Sequence, residues 1–322
     1  MKYLITGAAG FIGINFLELL INTHKKDYFV VVDKLTYAAN TNHLYELLEE
    51  NKNITFYKED IAKSKAIEKI FKTEKPNIVI NFAAETHVDR SILNSKKFIK
   101  TNVLGTSVLL EMSKKFSINK FIQISTDEVY GSLTKKDFNI KKEFYPSDTL
   151  NPTNPYSATK ASADLIVLSY FKTYKLPVII IRMTNNFGPY QNKEKLIPKI
   201  VLNSMQNKKI PVYGDGTNKR DWLYVKDSAN AINLILEKGE TGKIFHISTH
   251  NLITNIELVN LILNKLNIKN NLIQFVKDRP AHDYAYSLNT DDIENFGFIP
   301  KSDFNKNIEE TIEFYKKSSK RI

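Results

Sequence analysis

The chain has 322 residues, with 46 lysines and arginines against 35 aspartates and glutamates, and it contains no cysteine. This length allows one large or two coupled domains with a well-buried core. The absence of cysteine excludes disulfides, thiolate metal sites and a cysteine nucleophile. The formal charge of +11 could indicate nucleic-acid binding, but the lysines form scattered pairs and not one stripe interleaved with aromatic residues. We therefore expect a solvated basic surface and no nucleic-acid partner.

The sequence shows no signal for a membrane or a metal. It has no run of 18 or more apolar residues, and it passes from Met1 into an apolar strand without a charged and then apolar leader. A cytoplasmic protein with no membrane partner is therefore expected. None of the six histidines has metal-ligand spacing with acids on a shared face, so we predict no metal site.

A glycine-rich turn follows the first predicted strand, Lys2–Thr6. Its three spaced glycines permit a tight turn, close approach of the backbone to a pyrophosphate, and close packing of the next helix on the strand. The amino terminus of that helix, which should run to about Ile21, would face the phosphates. The pattern predicts a dinucleotide site that includes Gly7, Gly10, Phe11, Ile12 and Gly13.

The second predicted strand, residues 29–32, ends at Asp33. A carboxylate at this place would accept hydrogen bonds from the adenosine ribose hydroxyls and would repel a ribose phosphate. The sequence therefore favours NAD over NADP. The ammonium of Lys34 beside it weakens this preference slightly.

Strands and helices alternate along the chain, which predicts the α/β class and a Rossmann-type doubly wound parallel sheet. Further strands are expected at 54–57, 78–82, 121–124 and 178–181. From about residue 186, glycine and proline punctuate shorter elements, as in a smaller α/β substrate-binding lobe. We predict a dinucleotide-binding domain over 1–185 and a substrate-binding domain over 186–322, with an approximate boundary.

Two motifs in the middle of the chain carry chemistry. Thr126, Asp127 and Glu128 follow a predicted strand directly, at the edge where open α/β sheets bind ligands. Tyr156 and Lys160 are four residues apart on a predicted helix and therefore share a face. The lysine ammonium should lower the pKa of the phenol from about 10 toward neutrality, so that it can act as a base. Together these groups can oxidise a sugar alcohol and then expel water from it.

Several long motifs in one order resemble the extended short-chain dehydrogenases/reductases, and most closely the dTDP-glucose 4,6-dehydratase family of nucleotide-sugar dehydratases. The matching stretches are 6–13, 33–38, 83–91, 101–106, 125–131, 155–160, 185–190, 194–198 and 220–225. The resemblance implies a tightly bound NAD that is regenerated each turnover and a nucleotide-sugar substrate. It also implies segments that interleave between the two domains, and a homodimer formed through helices around 101–116 and 156–174.

The resemblance assigns roles to the central residues. Tyr156 would take the C4 hydroxyl proton as hydride passes to NAD, while Lys160 holds the phenolate and the nicotinamide ribose. Glu128 would then remove the C5 proton, and Asp127 would protonate the departing C6 hydroxyl. Thr126 would hydrogen-bond the C4 oxygen. Return of hydride to C6 would complete the conversion of dTDP-glucose to dTDP-4-keto-6-deoxyglucose.

The resemblance also extends both binding sets. In the cofactor set, the glycine-rich turn, Asp33, Tyr156 and Lys160 are joined by Lys34, Thr36, Asp60, Ile61, Ala83 and Ala84. The substrate set comprises Glu85, His87, Asn185, Lys195, Leu196, Tyr213, Arg220, Asn255, His282 and Tyr286. An arginine fork suits phosphate oxygens, whereas His87 could equally serve a structural hydrogen bond.

One segment departs from the family pattern Arg-Pro-Gly-His-Asp-Arg-Arg-Tyr. Residues 279–286 place Ala281 at the glycine, and Tyr284 and Ala285 at the last two arginines. If this segment faces the phosphates, two positive charges are missing. The nucleotide base is therefore open, with UDP-, GDP- or CDP-linked sugars as alternatives.

Two other interpretations compete with a dehydratase. A nucleotide-sugar 4-epimerase or UDP-glucuronate decarboxylase would use the same Tyr/Lys/NAD groups. Asp127 discriminates, because epimerisation needs no acid for a leaving hydroxyl. The other alternative is a basic NAD-binding scaffold or RNA-binding protein, for which salt-dependent nucleic-acid binding is the test.

Overall fold

A computed structural model describes residues 1–300 and 303–319 of the chain. The strands are β1 (Lys2–Thr6), β2 (Tyr28–Asp33), β3 (Ile54–Lys58), β4 (Ile78–Asn81), β5 (Lys120–Thr126), β6 (Val178–Met183), β7 (Asn185–Phe187), β8 (Ile210–Tyr213), β9 (Lys219–Tyr224), β10 (Ile244–Ile247), β11 (Leu252–Thr254) and β12 (Ile273–Val276).

The α-helices lie between these strands and after them. They are α1 (Phe11–Thr23), α2 (Thr41–Glu50), α3 (Ser64–Glu74), α4 (Val88–Leu93), α5 (Lys96–Phe98), α6 (Thr106–Lys115), α7 (Lys135–Asn139), α8 (Pro155–Tyr174), α9 (Leu196–Met205), α10 (Val225–Lys238), α11 (Asn255–Lys265), α12 (Asp291–Glu294) and α13 (Phe304–Ser319). A π-helix spans Ile99–Gly105, and short 3-10 helices span Asp127–Tyr130 and Asn270–Leu272. Within the described ranges, no helix combines the length and apolar character needed to cross a bilayer.

A seven-stranded parallel sheet in the order β10-β6-β5-β4-β1-β2-β3 forms the centre of the molecule. Apolar clusters cover both faces of this sheet. One contains Phe16 of α1 and Ile232 of α10, and the other contains Phe71 of α3 and Val167 of α8. The predicted doubly wound sheet is confirmed. The strand order reverses between β1 and β4, which places the crevice for a ligand at the carboxyl ends of these strands.

The predicted strands are present, with shifted ends. β5 continues past the predicted end through Thr126, because Ser125 and Thr126 pair with residues of β6. The sequence placed His246, between Phe245 and Ile247, on a core-facing strand, and β10 confirms this. β10 lies after the predicted domain boundary at residue 185. It nevertheless pairs with β6 at the edge of the large sheet.

A smaller lobe is built on the sheets β11-β9-β7 and β12-β8. Its separate apolar core joins Trp222 of β9 to Ile200, Leu258 and Ile312 of helices α9, α11 and α13. The core gives this lobe a rigid wall that faces the carboxyl edge of the large sheet.

Helix α8 has strong local signals at both ends. Asn154 and Ser157 form a reciprocal capping box, and Pro155 occupies the first turn, where its missing N–H costs no hydrogen bond. Lys175 ends the helix in the left-handed conformation. These signals fix where the helix begins and therefore where Tyr156 and Lys160 stand relative to the sheet.

Candidate active site

The glycine-rich turn leaves no room for side chains on its protein side. Gly7 has φ +68°, and a Cβ added to it would lie 2.5 Å from the backbone nitrogen of Ala83. A Cβ on Gly13 would lie 2.5 Å from the Gly7 carbonyl oxygen. Gly10 precedes the first residue of α1. The turn thus presents bare backbone and a helix amino terminus to the cavity, which fits a pyrophosphate.

The end of β2 is shaped for a ribose. Backbone N–H groups of Ala9 and Leu35 donate to the two carboxylate oxygens of Asp33 over 3.0 and 2.8 Å. The ammonium of Lys34 instead donates to Glu85 and to Thr101, each over 2.9 Å. Because its charge is already paired, Lys34 is not a free cation beside Asp33, and it does not offer the counter-charge expected for a ribose phosphate.

The Tyr156 and Lys160 side chains are buried on α8 beside the end of β5. Tyr156 is hydrogen-bonded to the side chain of Thr126, and the Lys160 ammonium donates to the Ile124 carbonyl over 2.6 Å. Burial, with the Glu128 and Asp127 carboxyls, raises the pKa of the Tyr156 phenol. Burial also lowers the pKa of Lys160 to about 8.

These pKa directions correct one expectation. The sequence suggested that Lys160 lowers the pKa of Tyr156, but in the protein alone the phenol pKa is raised. The main physical reason is burial of the phenol. The nearby Glu128 and Asp127 carboxyls act in the same direction, while the Lys160 ammonium is directed at a strand carbonyl. A lower phenol pKa therefore requires a further positive charge beside the ring.

The two adjacent acids have different surroundings. Asp127 is 2% exposed, and burial followed by the Glu128 charge raises its pKa well above the usual range. Burial also raises the pKa of Glu128, but the cations Arg279, Arg220 and Lys195 oppose this. Asp127 is therefore the carboxyl that holds a proton more readily, and Glu128 is the better base.

A single cavity of about 420 Å³ collects these groups. It is lined by all the predicted cofactor residues except Asp60, and by all the predicted substrate residues except Glu85. Asp60 instead accepts from the Ala62 N–H over 2.9 Å, and Glu85 pairs with Lys34. The predicted contacts of Asp60 with the cofactor and of Glu85 with the substrate stay predictions.

The sequence missed several residues of the cavity wall. Arg279 lines it, although the sequence analysis treated this arginine only as part of a divergent segment. Glu194 also lines it and pairs with Arg90 and, at 3.4 Å, with His87. Others on the wall are Thr86, Asp89, Met183, Thr184, Gln191 and Asn192. Most follow a motif residue by one or two positions, which is the signal that could have found them.

The divergent segment still brings a positive charge, that of Arg279, to the cavity. Arg279, His282 and Tyr286 line the cavity, whereas Tyr284 and Ala285 do not. Ala285 is fully buried in a separate apolar cluster against Leu133. The expectation that the two replaced arginine positions face the phosphates is therefore wrong.

The fold and the site together define an enzyme of the extended short-chain dehydrogenase/reductase class. The family described as GDP-mannose 4,6 dehydratase matches residues 4–311. The chain belongs to this family.

Similar proteins include dTDP-glucose 4,6-dehydratases. That of Escherichia coli is 41% identical, over 98% of this chain and 93% of its own length. The structure of the Bacillus anthracis enzyme in complex with NAD is 40% identical with a TM-score of 0.91, over 99% of this chain and 98% of that one. The structure of DesIV from Streptomyces venezuelae, with NAD and TYD bound, is 36% identical with a TM-score of 0.94, over 100% of this chain and 98% of that one.

Proposed function

We propose that this chain is an NAD-dependent dTDP-glucose 4,6-dehydratase, a hydro-lyase that forms dTDP-4-keto-6-deoxyglucose. The observation that carries the proposal is one cavity in which a Tyr/Lys pair, a buried acid and a second carboxyl near cations meet a glycine-rich turn. The near full-length dTDP-glucose 4,6-dehydratase relatives support the same activity.

The glycine-rich turn and Asp33 would hold NAD, with Thr36, Ile61, Ala83 and Ala84 along its path. NAD would supply a hydride acceptor that later acts as a donor, and in its oxidised form it would add a positive charge to the cavity that holds the Tyr156 phenol. The Asp33 carboxylate would accept hydrogen bonds from the ribose hydroxyls and would repel a ribose phosphate. The ammonium of Lys34, next to Asp33 in the chain, is already paired with Glu85.

The protein groups divide the proton transfers among them. Tyr156 takes the proton of the C4 hydroxyl, and Thr126, its hydrogen-bond partner, steadies the C4 oxygen. Glu128 then removes the C5 proton, which is acidic beside the new ketone. Asp127, whose pKa is raised by burial, donates a proton to the leaving C6 hydroxyl.

The substrate diphosphate would meet positive charge from the smaller lobe. Lys195, Arg220 and Arg279 line the cavity and act electrostatically on Glu128. Because the divergent positions 284 and 285 face away from the cavity, they give no reason to prefer another nucleotide, and the relatives favour dTDP. A UDP-, GDP- or CDP-linked sugar stays the alternative for the same reaction.

A nucleotide-sugar epimerase or decarboxylase is the second candidate, since it would use Tyr156, Lys160 and NAD. It would have no use for an acid that protonates a leaving hydroxyl. The burial of Asp127 and the raised pKa of its carboxyl thus favour elimination of water.

An isotope experiment tests the proposal. The purified protein is given a panel of nucleotide sugars, and the member that loses water is then prepared with deuterium at C4. We expect the label at C6 of the product, a solvent hydrogen at C5, and no net consumption of added NAD. Deuterium that stays at C4 or leaves in free NADH would exclude this mechanism.

Two variants locate the steps. Tyr156→Phe should keep the fold and bound NAD but lose most of the oxidation, because its ring cannot accept a proton. Glu128→Gln should reduce the bound NAD and then stop before water is lost. Near-normal product formation by either variant would contradict its assigned role.

We also propose a cytoplasmic homodimer, with domains over 1–185 and 186–322 that exchange segments. Pairing of β10 with the large sheet supports the exchange. Leu104 and Leu165, which are 50% and 58% exposed on the two predicted interface helices, support the dimer.

A further inference from the structure

Beneath the cavity lies a buried ion pair that the proposed mechanism does not use. Arg182 of β6 is 1% exposed, and its Nε donates to an Asp164 carboxylate oxygen over 2.9 Å. Asp164 is fully buried on α8, and the same oxygen accepts from the Ser125 hydroxyl over 2.9 Å. One carboxylate therefore joins helix α8 to two neighbouring strands.

Arg182 extends this pair into a directed chain of hydrogen bonds. A terminal nitrogen of its guanidinium donates to the Tyr130 hydroxyl. Arginine can only donate, so the Tyr130 O–H is left to donate to Nε2 of His246 over 2.7 Å. Nδ1 of His246 then donates to the Asn289 carbonyl over 2.9 Å. Each hydrogen bond named here has one donor and one acceptor, and together these bonds fix the tautomer of the imidazole.

The chain connects the two elements that carry the reacting groups. Helix α8 carries Tyr156 and Lys160, and its next turn carries Asp164. The 3-10 helix Asp127–Tyr130 carries the two acids at its start and Tyr130 at its end. Arg182 bonds to both elements, so it relates their positions to each other.

The local contacts of the acids make this connection important. The 3-10 helix is a single turn of four residues and follows β5 directly. Helix α8 reaches the end of β5 through the Lys160 bond to Ile124 and the Ser125 bond to Asp164. Beyond Thr126, the polar link from Tyr130 to Arg182 is what ties the far end of the acid-bearing turn to the same helix.

We propose that Arg182 and Tyr130 are positioning residues that hold the Asp127–Glu128 turn at its working distance from Tyr156. This inference rests on the proposed function. Buried ion pairs add little net stability but can specify one arrangement of the groups around them. Loss of the Tyr130 hydroxyl should therefore affect the elimination of water more than the oxidation, since Tyr156 and Lys160 keep their own contacts.

Tyr130→Phe is the test. Phenylalanine retains the stacking of this ring on Phe144, whose centroid lies 5.0 Å away, and removes only the hydroxyl. With substrate in excess, rapid-mixing absorbance follows the bound NADH, and quenched samples follow water loss. We expect oxidation near the rate of the unsubstituted protein, water loss slowed about 10- to 100-fold, and accumulation of bound NADH.

Tyr3→Phe is the matched control. Tyr3 is 1% exposed and bonds to Asp27, but it stands at the amino end of β1, opposite the cavity. It should leave both half-reactions unchanged. Arg182→Lys provides a second variant, because lysine keeps the charge beside Asp164 but lacks the fork that binds two partners, and it should show the same accumulation of NADH.

The possible results separate the two proposals. Failure of the unsubstituted protein to dehydrate any sugar of the panel would refute the proposed function, and this inference with it. If the unsubstituted protein is active, equal slowing of both half-reactions in Tyr130→Phe, or no slowing, would overturn the positioning role alone. The same selective slowing in Tyr3→Phe would also overturn it.

Discussion

Asp127 and Glu128 are neighbours in the chain, yet the protein raises the pKa of the Asp127 carboxyl more strongly than that of Glu128. Asp127 is more deeply buried and has the stronger rise in pKa, while three cations moderate the rise at Glu128. The difference comes from residues of the smaller lobe, about 70 to 150 positions further along the sequence. Two adjacent acids can thus serve as a proton donor and a proton acceptor at the same pH.

Asp33 offers a residue-scale prediction about cofactor choice. Asp33→Ala should narrow the preference for NAD over NADP by roughly tenfold, about 1.4 kcal/mol, because repulsion of a ribose phosphate and the ribose hydrogen bonds are both lost. The dissociation constants of the two cofactors, measured on protein freed of bound nucleotide, give the ratio.

A matched control for this prediction is Glu240→Ala. It removes an exposed carboxylate that precedes β10, at the amino ends of the strands, and should leave the ratio unchanged. An unchanged ratio in Asp33→Ala, or bound NADP in the unsubstituted protein, would show that the end of β2 does not select the cofactor.

The sequence predicted most single residues of the site because they sit in motifs at strand ends. Asp60 and Glu85 are next to cavity-lining residues in the chain, but their carboxylates bond to Ala62 and Lys34 and do not line the cavity. The sequence did not show that Tyr284 and Ala285 lie off the cavity wall, because the direction of a side chain in an irregular segment depends on tertiary packing. No local pattern reports such a direction.

At the scale of elements, apolar runs predicted the first six strands of the large sheet. The seventh, β10, is a four-residue strand. The sequence indicated a core-facing strand at His246 but did not assign it to the large sheet, because it follows the strands of the smaller lobe in the chain. The ion pair of Asp164 and Arg182 was also missed. Its members lie on different elements, and only packing of α8 on β6 brings them together.

His246 of β10 makes the stability of the folded protein depend on pH. Burial lowers the pKa of this histidine to about 4, with Arg182 acting in the same direction and the Asn289 carbonyl and Asp148 opposing. The unfolded chain, with a pKa of about 6.5, binds more protons between these values. The contribution of His246 is therefore fully present above about pH 6.5 and is lost as the pH falls toward 4.

We expect this group alone to decrease the free energy of unfolding by about 2 kcal/mol between pH 7 and pH 5. Urea unfolding at several pH values, for the unsubstituted protein and His246→Gln, measures it, and the variant should show a correspondingly smaller dependence. His43→Gln is the control, because neighbouring Glu18 and Glu46 raise the pKa of His43. If the free energy of unfolding depends on pH to the same extent in His246→Gln and in the unsubstituted protein, His246 is not buried in its neutral form.

At the scale of the whole molecule, the exposed apolar residues on α8 and on the π-helix before α6 predict assembly. Leu165→Glu should convert the proposed dimer to a monomer, because a charge in an apolar interface loses its hydration. Light scattering after gel filtration gives the mass. Ile140→Glu, a control at a 68% exposed position elsewhere, should remain dimeric, and a monomeric unsubstituted protein would contradict the proposal.

The position of β10 at the edge of the large sheet also has a consequence for synthesis on the ribosome. β6 pairs with β5 on one side and with β10 on the other, and between β6 and β10 the chain builds β7, β8 and β9 of the smaller lobe. A nascent chain that ends before residue 244 therefore carries β6 as an open edge that is apolar apart from Arg182, which invites pairing with other chains. The large sheet therefore cannot complete its folding before residues 244–247 have left the ribosome.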